Sequence, residues 1–269
     1  MLNDGNRYNR GIIEKDVNRI EREGVVVGVM GARFEKPLVM EYQDIVIDSK
    51  QNIKELGYRK ENNLSLDLAD NNNLKRLIEY RRLWQTFYDT EDVLYEQLKI
   101  DNERFYQLNN DLVFDTVMMK KRYAVTFDTL LMESQKKAEL ANKQAYLHVV
   151  GIGLGVWKIA EPQTKIFLEC FSQRLNFLLP KLNNIGAIHF SWFHMDEWHD
   201  LKNNGFIQSP SHPRGGIHTF LANRNPADKL KREFENMLLI ISYAWDGNAL
   251  PGNEFWIVSR RLSYNLHFK

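Results

Sequence analysis

The sequence of 269 residues has one cysteine, Cys170. A single thiol excludes an internal disulfide and a thiolate metal cluster. It sits in an apolar stretch, which fits a small core residue better than a nucleophile. No apolar run approaches the roughly 18 residues that a membrane-crossing helix needs. The N-terminus is polar and lacks the apolar centre of a secretory signal. The expectation is a soluble protein of a reducing compartment such as the cytoplasm. The formal net charge is only +1, so bulk charge gives no argument for nucleic-acid or membrane partners. Several catalytic signatures are missing as well. There is no G-x-S-x-G nucleophile elbow, no kinase set, no phosphate-binding G-K-[ST] and no H-E-x-x-H. What is present is 43% hydrophobic and 12% aromatic content, enough for a substantial core in one large domain or two small ones.

The chain is organised around residues 146–158. Tyr146 to Val150 is a short apolar run that reads as a buried strand. Gly151, Gly153 and Gly155 then alternate with Ile152 and Leu154, followed by Val156 and Trp157. Glu161-Pro162 precedes an amphipathic segment carrying Ile166, Phe167, Phe171, Leu175 and Leu178, and proline favours the first helical turn. Strand, glycine loop and helix in this order can cradle a phosphate on backbone N–H groups. The spacing is G-x-G-x-G and Val156 stands where a dinucleotide fingerprint wants glycine. From the loop alone, an anion site and a tight turn without a ligand remain equally open.

Residues 1–24 form a polar N-terminal segment and 25–269 the main domain. Residues 25–30 read as a buried strand, and Ile45-Val46-Ile47 as another. Between them a loop carries Arg33, Glu35, Glu41 and Asp44, either as solvated charge or as function hung from buried strands. Residues 74–145 look largely helical, with Leu74, Ile78 and Trp84 on one face and Val113, Val117 and Met118 on another. After residue 145 strands and helices are expected to alternate. Strands are expected near 185–193, 217–222 and 237–243, a loop over 205–216, and a helix opened by Asn225-Pro226. Glycine-rich or charged clusters follow the strands, where α/β sheets bind ligands. His189, His194 and His199 are spaced by five, which does not place them on one helix face as zinc ligands. The pairs Glu35/Glu41, Asp196/Asp200 and Asp246/Glu254 could position water at a sugar or grip a nucleoside. Trp245, Phe255 and Trp256 offer stacking surface beside a Gly/Asn/Pro loop, or belong to the core.

Three segments together resemble a known family. They are Gly31-Ala32-Arg33-Phe34-Glu35 with Met40-Glu41-Tyr42-Gln43, then Gly151 to Trp157, then Ala244-Trp245-Asp246-Gly247-Asn248 with Pro251-Gly252-Asn253-Glu254-Phe255-Trp256. The combination is similar to the divergent macrodomain family of the bacterial effector MavL, over roughly 25–260. The resemblance implies a macrodomain-like three-layer α/β/α sandwich with a mixed central sheet and a helical insertion. It implies binding of ADP-ribose or an ADP-ribosylated protein, hydrolytic removal of ADP-ribose, and export as an effector toward a host protein. The alternatives are a reader that binds without turnover and an interaction effector with a vestigial pocket. Glu41, Asp246 and Glu35 are the catalytic candidates. Gly151, Ile152, Gly153, Leu154, Gly155, Val156, Trp157, Arg33, Asp196, Trp245, Asn248, Asn253, Glu254 and Phe255 are the ligand-binding candidates. No metal or cofactor is expected. A Gly153→Val protein is expected to stay folded and lose the ligand.

Overall fold

Stretches rich in Val, Ile, Leu and Phe build the sheet that positions the site. A computed structural model describes residues 20, 21, 23–32, 34, 44–58, 72–155 and 157–245. In chain order the elements are β1 (Gly24–Val29), β2 (Val46–Asp48), α1 (Asn72–Tyr88), β3 (Phe105–Gln107), β4 (Leu112–Asp115) and α2 (Thr116–Leu140). There follow β5 (Ala145–Val149), α3 (Gln163–Leu178), β6 (Ile185–Phe190), β7 (Glu197–Trp198) and β8 (Leu201–Lys202). The last are β9 (Gly205–Gln208), β10 (Gly216–Leu221) and β11 (Leu238–Ala244). Among the described residues no helix is long and apolar enough to cross a membrane.

The chain divides into two compact units. The first takes in the described residues of 1–31, 126–153 and 172–269. It holds a six-stranded sheet in the order β1-β11-β5-β6-β10-β9. Five of these strands run parallel, and β9 is antiparallel to β10, which gives the expected mixed central sheet. Side chains alternate between its faces. Tyr146, Ala187, Leu239 and Ile241 share one face and pack with Leu230 and Met237. Leu147, Val149, Ile188, Phe190 and Ile240 point to the other and are buried too. The sheet is therefore covered on both faces, as a three-layer α/β arrangement requires.

The second unit takes in the described residues of 32–125 and 154–171. It holds the three-stranded sheet β2-β4-β3. Asp115, at the end of β4, starts α2: its carboxylate accepts the Val117 and Met118 N–H groups at 3.0 and 3.1 Å and pairs with Arg104 at 3.0 Å. Gln163 closes the entry to α3 by accepting from the Ile159 and Ala160 N–H groups. Cys170 is buried and lies 3.2 Å from the Lys120 carbonyl, a packed thiol as expected.

Three sequence expectations change. The region 74–145 is not helical throughout: β3 and β4 separate α1 from α2, and Val113 lies on β4. Part of the expected loop over 205–216 is β9, paired with β10. No α-helix follows Asn225 among the described residues. Its side chain accepts the Ala227 N–H at 3.0 Å and its carbonyl the Asp228 N–H at 3.1 Å, forming a turn. The Arg224 guanidinium donates to the Pro226 and Asp228 carbonyls, which a helix would need for its own ladder. The expected alternation of strands with helices after 145 is thus carried by α3 alone among the described residues.

Candidate functional site

The five parallel strands β1, β11, β5, β6 and β10 all end at one edge of the sheet. Ligands in α/β sheets bind at this carboxyl edge. The glycine loop leaves β5 here. Its start is pinned by Ser242 of β11, whose Oγ accepts the Val150 N–H at 2.9 Å. Ile152 turns inward: its side chain is fully buried and its N–H donates to the Val150 carbonyl at 2.8 Å. Gly153 takes φ +78°, a conformation that disfavours any side chain. Gly155 has open space where a Cβ would stand. Gly151 and Leu154 are half-buried, and so is Trp157 beyond them.

The loop after β1 lies against the glycine loop. A Cβ on Gly31 would stand 3.0 Å from Ile152 Cγ2 and 3.1 Å from the Gly153 nitrogen, so any side chain here would press on the glycine loop and need it to give by a few tenths of an ångström. Thr126 of α2 donates from Oγ1 to the Met30 carbonyl at 3.1 Å and fixes that loop from its other side. Trp245 extends the ladder between β1 and β11: its N–H donates to the Val29 carbonyl at 3.0 Å. Its Cβ would be 3.6 Å from a Cβ on Gly28. Since β11 lies between β1 and β5, Trp245 emerges between the Gly31 loop and the glycine loop. Gly151, Gly153 and Trp245 are thereby brought to one edge. Arg33, Glu35, Glu41, Val156, Asp246, Asn248, Asn253, Glu254, Phe255 and Trp256 lie outside the described residues.

A polar network under this edge had no sequence signal beyond scattered histidines. The parallel register sets His148 beside His189. Tyr146 donates its hydroxyl to His189 Nδ1 at 2.6 Å, and His189 Nε2–H donates to the Ala222 carbonyl at 2.7 Å. His148 Nε2 lies 3.0 Å from Ser191 Oγ. Ser191 Oγ accepts the Arg224 N–H at 3.2 Å. The loop after β10 is thus tied to β5 and β6. Burial, then the charges of Arg224 and His189, push the His148 imidazole down to about 4. Burial also lowers His189 and pushes the Tyr146 phenol up to about 12 against the pull of Arg224. Both rings are neutral at pH 7 and act as structural links. His194 and His199 take other places: His194 lines a cavity and His199 sits edge-on to Trp198. Among the described residues no group of three or more His, Cys, Asp or Glu could hold a metal ion.

The cavity beside His194 measures about 240 Å³ and is bordered by residues 193–196, Asn203 and residues 221–223. It opens at the carboxyl ends of β6 and β10. Asp196 is exposed there, away from its sequence neighbour Asp200, which accepts from Asn176 Nδ2 at 2.9 Å and from Ser172 Oγ at 3.4 Å.

A family model described as "ADP-ribosylhydrolase MavL-like" matches residues 1–264. The chain belongs to the MavL-like ADP-ribosylhydrolase family. It is 48% identical over 259 residues to the protein named ADP-ribosylarginine hydrolase CG2909 of Drosophila melanogaster, covering 96% of this chain and 50% of that one. It is 47% identical over 257 residues to ADP-ribosylarginine hydrolase CG3568 of the same organism, covering 95% and 49%. The chain spans about half the length of the curated relatives it matches. Membership in the MavL-like family agrees with the resemblance carried by the glycine loop and its flanking motifs.

Proposed function

We propose that this chain is a macrodomain-like hydrolase that cleaves the bond between ADP-ribose and an arginine side chain of a modified protein. The observation that carries the reading is the seating of Gly31 against Gly153 at the carboxyl edge of the sheet. It sets two loops, with Trp245 between them, where a nucleotide can lie. The names of the two Drosophila relatives support the choice of arginine.

In this reading the loop from Gly151 to Trp157 turns backbone N–H groups toward the diphosphate. Arg33, Trp245, Asn248, Asn253, Glu254 and Phe255 grip the nucleoside end. Glu41 or Asp246, with Glu35 as a further candidate, orients a water molecule toward the anomeric carbon of the distal ribose. The water oxygen bonds to that carbon and the carbon–nitrogen bond breaks. The guanidine leaves and takes up the proton released by water. The reading assigns no metal and no cofactor.

The test is release of free ADP-ribose from a protein modified on arginine. Wild-type protein should release it, and a chelator should not stop it. A positioned base contributes roughly 10² to 10⁴ in rate. Of Glu41→Gln and Asp246→Asn, the catalytic one should lose turnover by about that factor and still bind ADP-ribose. A protein that binds ADP-ribose but releases none is a reader, and the hydrolase reading is then wrong. Full turnover in both variants would defeat the carboxylate mechanism.

A further inference from the structure

The cavity at the ends of β6 and β10 carries a chemistry that the nucleotide does not call for. Among the described residues no lysine or arginine borders it, while Asp196 does. Among the described residues the Asp196 carboxylate has no hydrogen-bonding or ion-pairing partner. A diphosphate placed here would meet an anion with no cation to offset it. The volume of about 240 Å³ is below the roughly 300–1,000 Å³ of clefts that take a drug-sized ligand. It suits one long side chain. Phe193, Met195 and Leu221 supply apolar wall, and Asn203 and Asn223 supply amide groups. Asn223 already serves the loop, accepting the Trp192 N–H at 3.2 Å. Apolar wall around a carboxylate with amide oxygens nearby matches a planar cation on an aliphatic stem.

The backbone is set for this arrangement at a cost. Trp192 and His194 take φ +69° and +56°, a region that residues other than glycine rarely adopt and that concentrates at functional sites. Trp192 also keeps 57% of its surface exposed, an indole face available to a cation. The position fits the rest of the site. The loop bearing the cavity leaves β6, the strand next to β5, from which the glycine loop leaves. Adjacent strands are about 4.8 Å apart, so a nucleotide on the glycine loop has its next chemical group within reach of this cavity.

We infer that the cavity receives the arginine side chain of the substrate, with Asp196 pairing the guanidinium and Phe193, Met195 and Leu221 holding its stem. The inference rests on the arginine reading of the proposed function. It separates Asp196 from the residues that grip ADP-ribose, and it adds recognition of the modified residue to recognition of the nucleotide.

The experiment compares wild type with Asp196→Asn, an exposed position where the substitution keeps the shape. Hydrolysis of an ADP-ribosylarginine peptide should lose about tenfold or more in kcat/KM, while the calorimetric Kd for ADP-ribose stays within about twofold. In parallel, N-acetylarginine amide is titrated against tryptophan fluorescence, with the citrulline analogue as its neutral counterpart. The arginine compound should bind at least tenfold more tightly, and Asp196→Asn should abolish that preference. An equal loss of ADP-ribose affinity in Asp196→Asn would assign the cavity to the nucleotide and overturn the inference. Unchanged kinetics in Asp196→Asn would overturn it also, and so would equal binding of the arginine and citrulline compounds. If the wild type hydrolyses nothing, the proposed function fails by itself. The preference for arginine over citrulline then still judges the cavity.

Discussion

Single glycines do different work in the two loops that face each other at the sheet edge. Gly31 is favoured by close contact, Gly153 by backbone angle, and Gly155 by neither. Gly153→Val is therefore a poor probe of binding, because a β-branched residue at positive φ carries strain of about 1–2 kcal/mol or more. Gly155→Val adds bulk in open space. It should leave the thermal midpoint nearly unchanged and weaken ADP-ribose binding at least tenfold. Gly31→Val should lower both, with a loss of stability of about 1–3 kcal/mol from overpacking. Thermal melts with calorimetry on the two variants check this. Unchanged affinity in folded Gly155→Val would remove the loop from the ligand. The alternating glycines were legible in the sequence as a loop after a strand. The tightness around position 31 was not, because the atoms that crowd it belong to residues 152 and 153 and no local pattern reports them.

Elements were legible in proportion to their length. The helices α1, α2 and α3 carry enough turns for a period to show, and β5, β6, β10 and β11 are apolar enough to stand out. β3 and β4 have only three and four residues, too few for an alternation to register beside the helical pattern on either side. Helix α2 shows how much a boundary residue can hold. Asp115 caps its first turn and pairs with Arg104. Asp115→Ala removes the cap and the pair, and should cost about 2 kcal/mol. Asp115→Asn keeps an oxygen for the cap and should recover about half of that. Urea denaturation of both variants measures it. Equal losses in the two would mean that the charge, and not the cap, is what matters. The misread helix after Asn225 failed for the opposite reason: its start signals were sound, but Arg224 claims the carbonyls, and that contact is invisible in sequence.

At the scale of the whole molecule, the buried histidines link stability to pH. His148 is held at about 4 against an ordinary 6.5. Above pH 7 the ring is neutral in both folded and unfolded chains, and its contribution is fully present. As pH falls from 6.5 toward 4 the unfolded chain takes up the proton first, so stability declines, by on the order of 3 kcal/mol from this group. The lowered His189 acts in the same direction. Denaturation midpoints should be flat from pH 7 to 8 and fall between pH 6.5 and 4. A proton titration of His148 by NMR with a midpoint near 6.5 in the folded protein would contradict the assignment. The sheet itself has a temporal consequence. β1, made before β11, pairs with it, so that Gly24 lies beside Leu239 and Val29 beside Ala244. At roughly 5–20 residues per second on the ribosome, the first strand waits on the order of 10–40 s for its partner. Until then the backbone that Gly31 brings against Gly153 has no neighbouring strand to hold it. A nascent chain released before β11 emerges would have made β1, β5, β6 and β10 without the strand that joins β1 to β5.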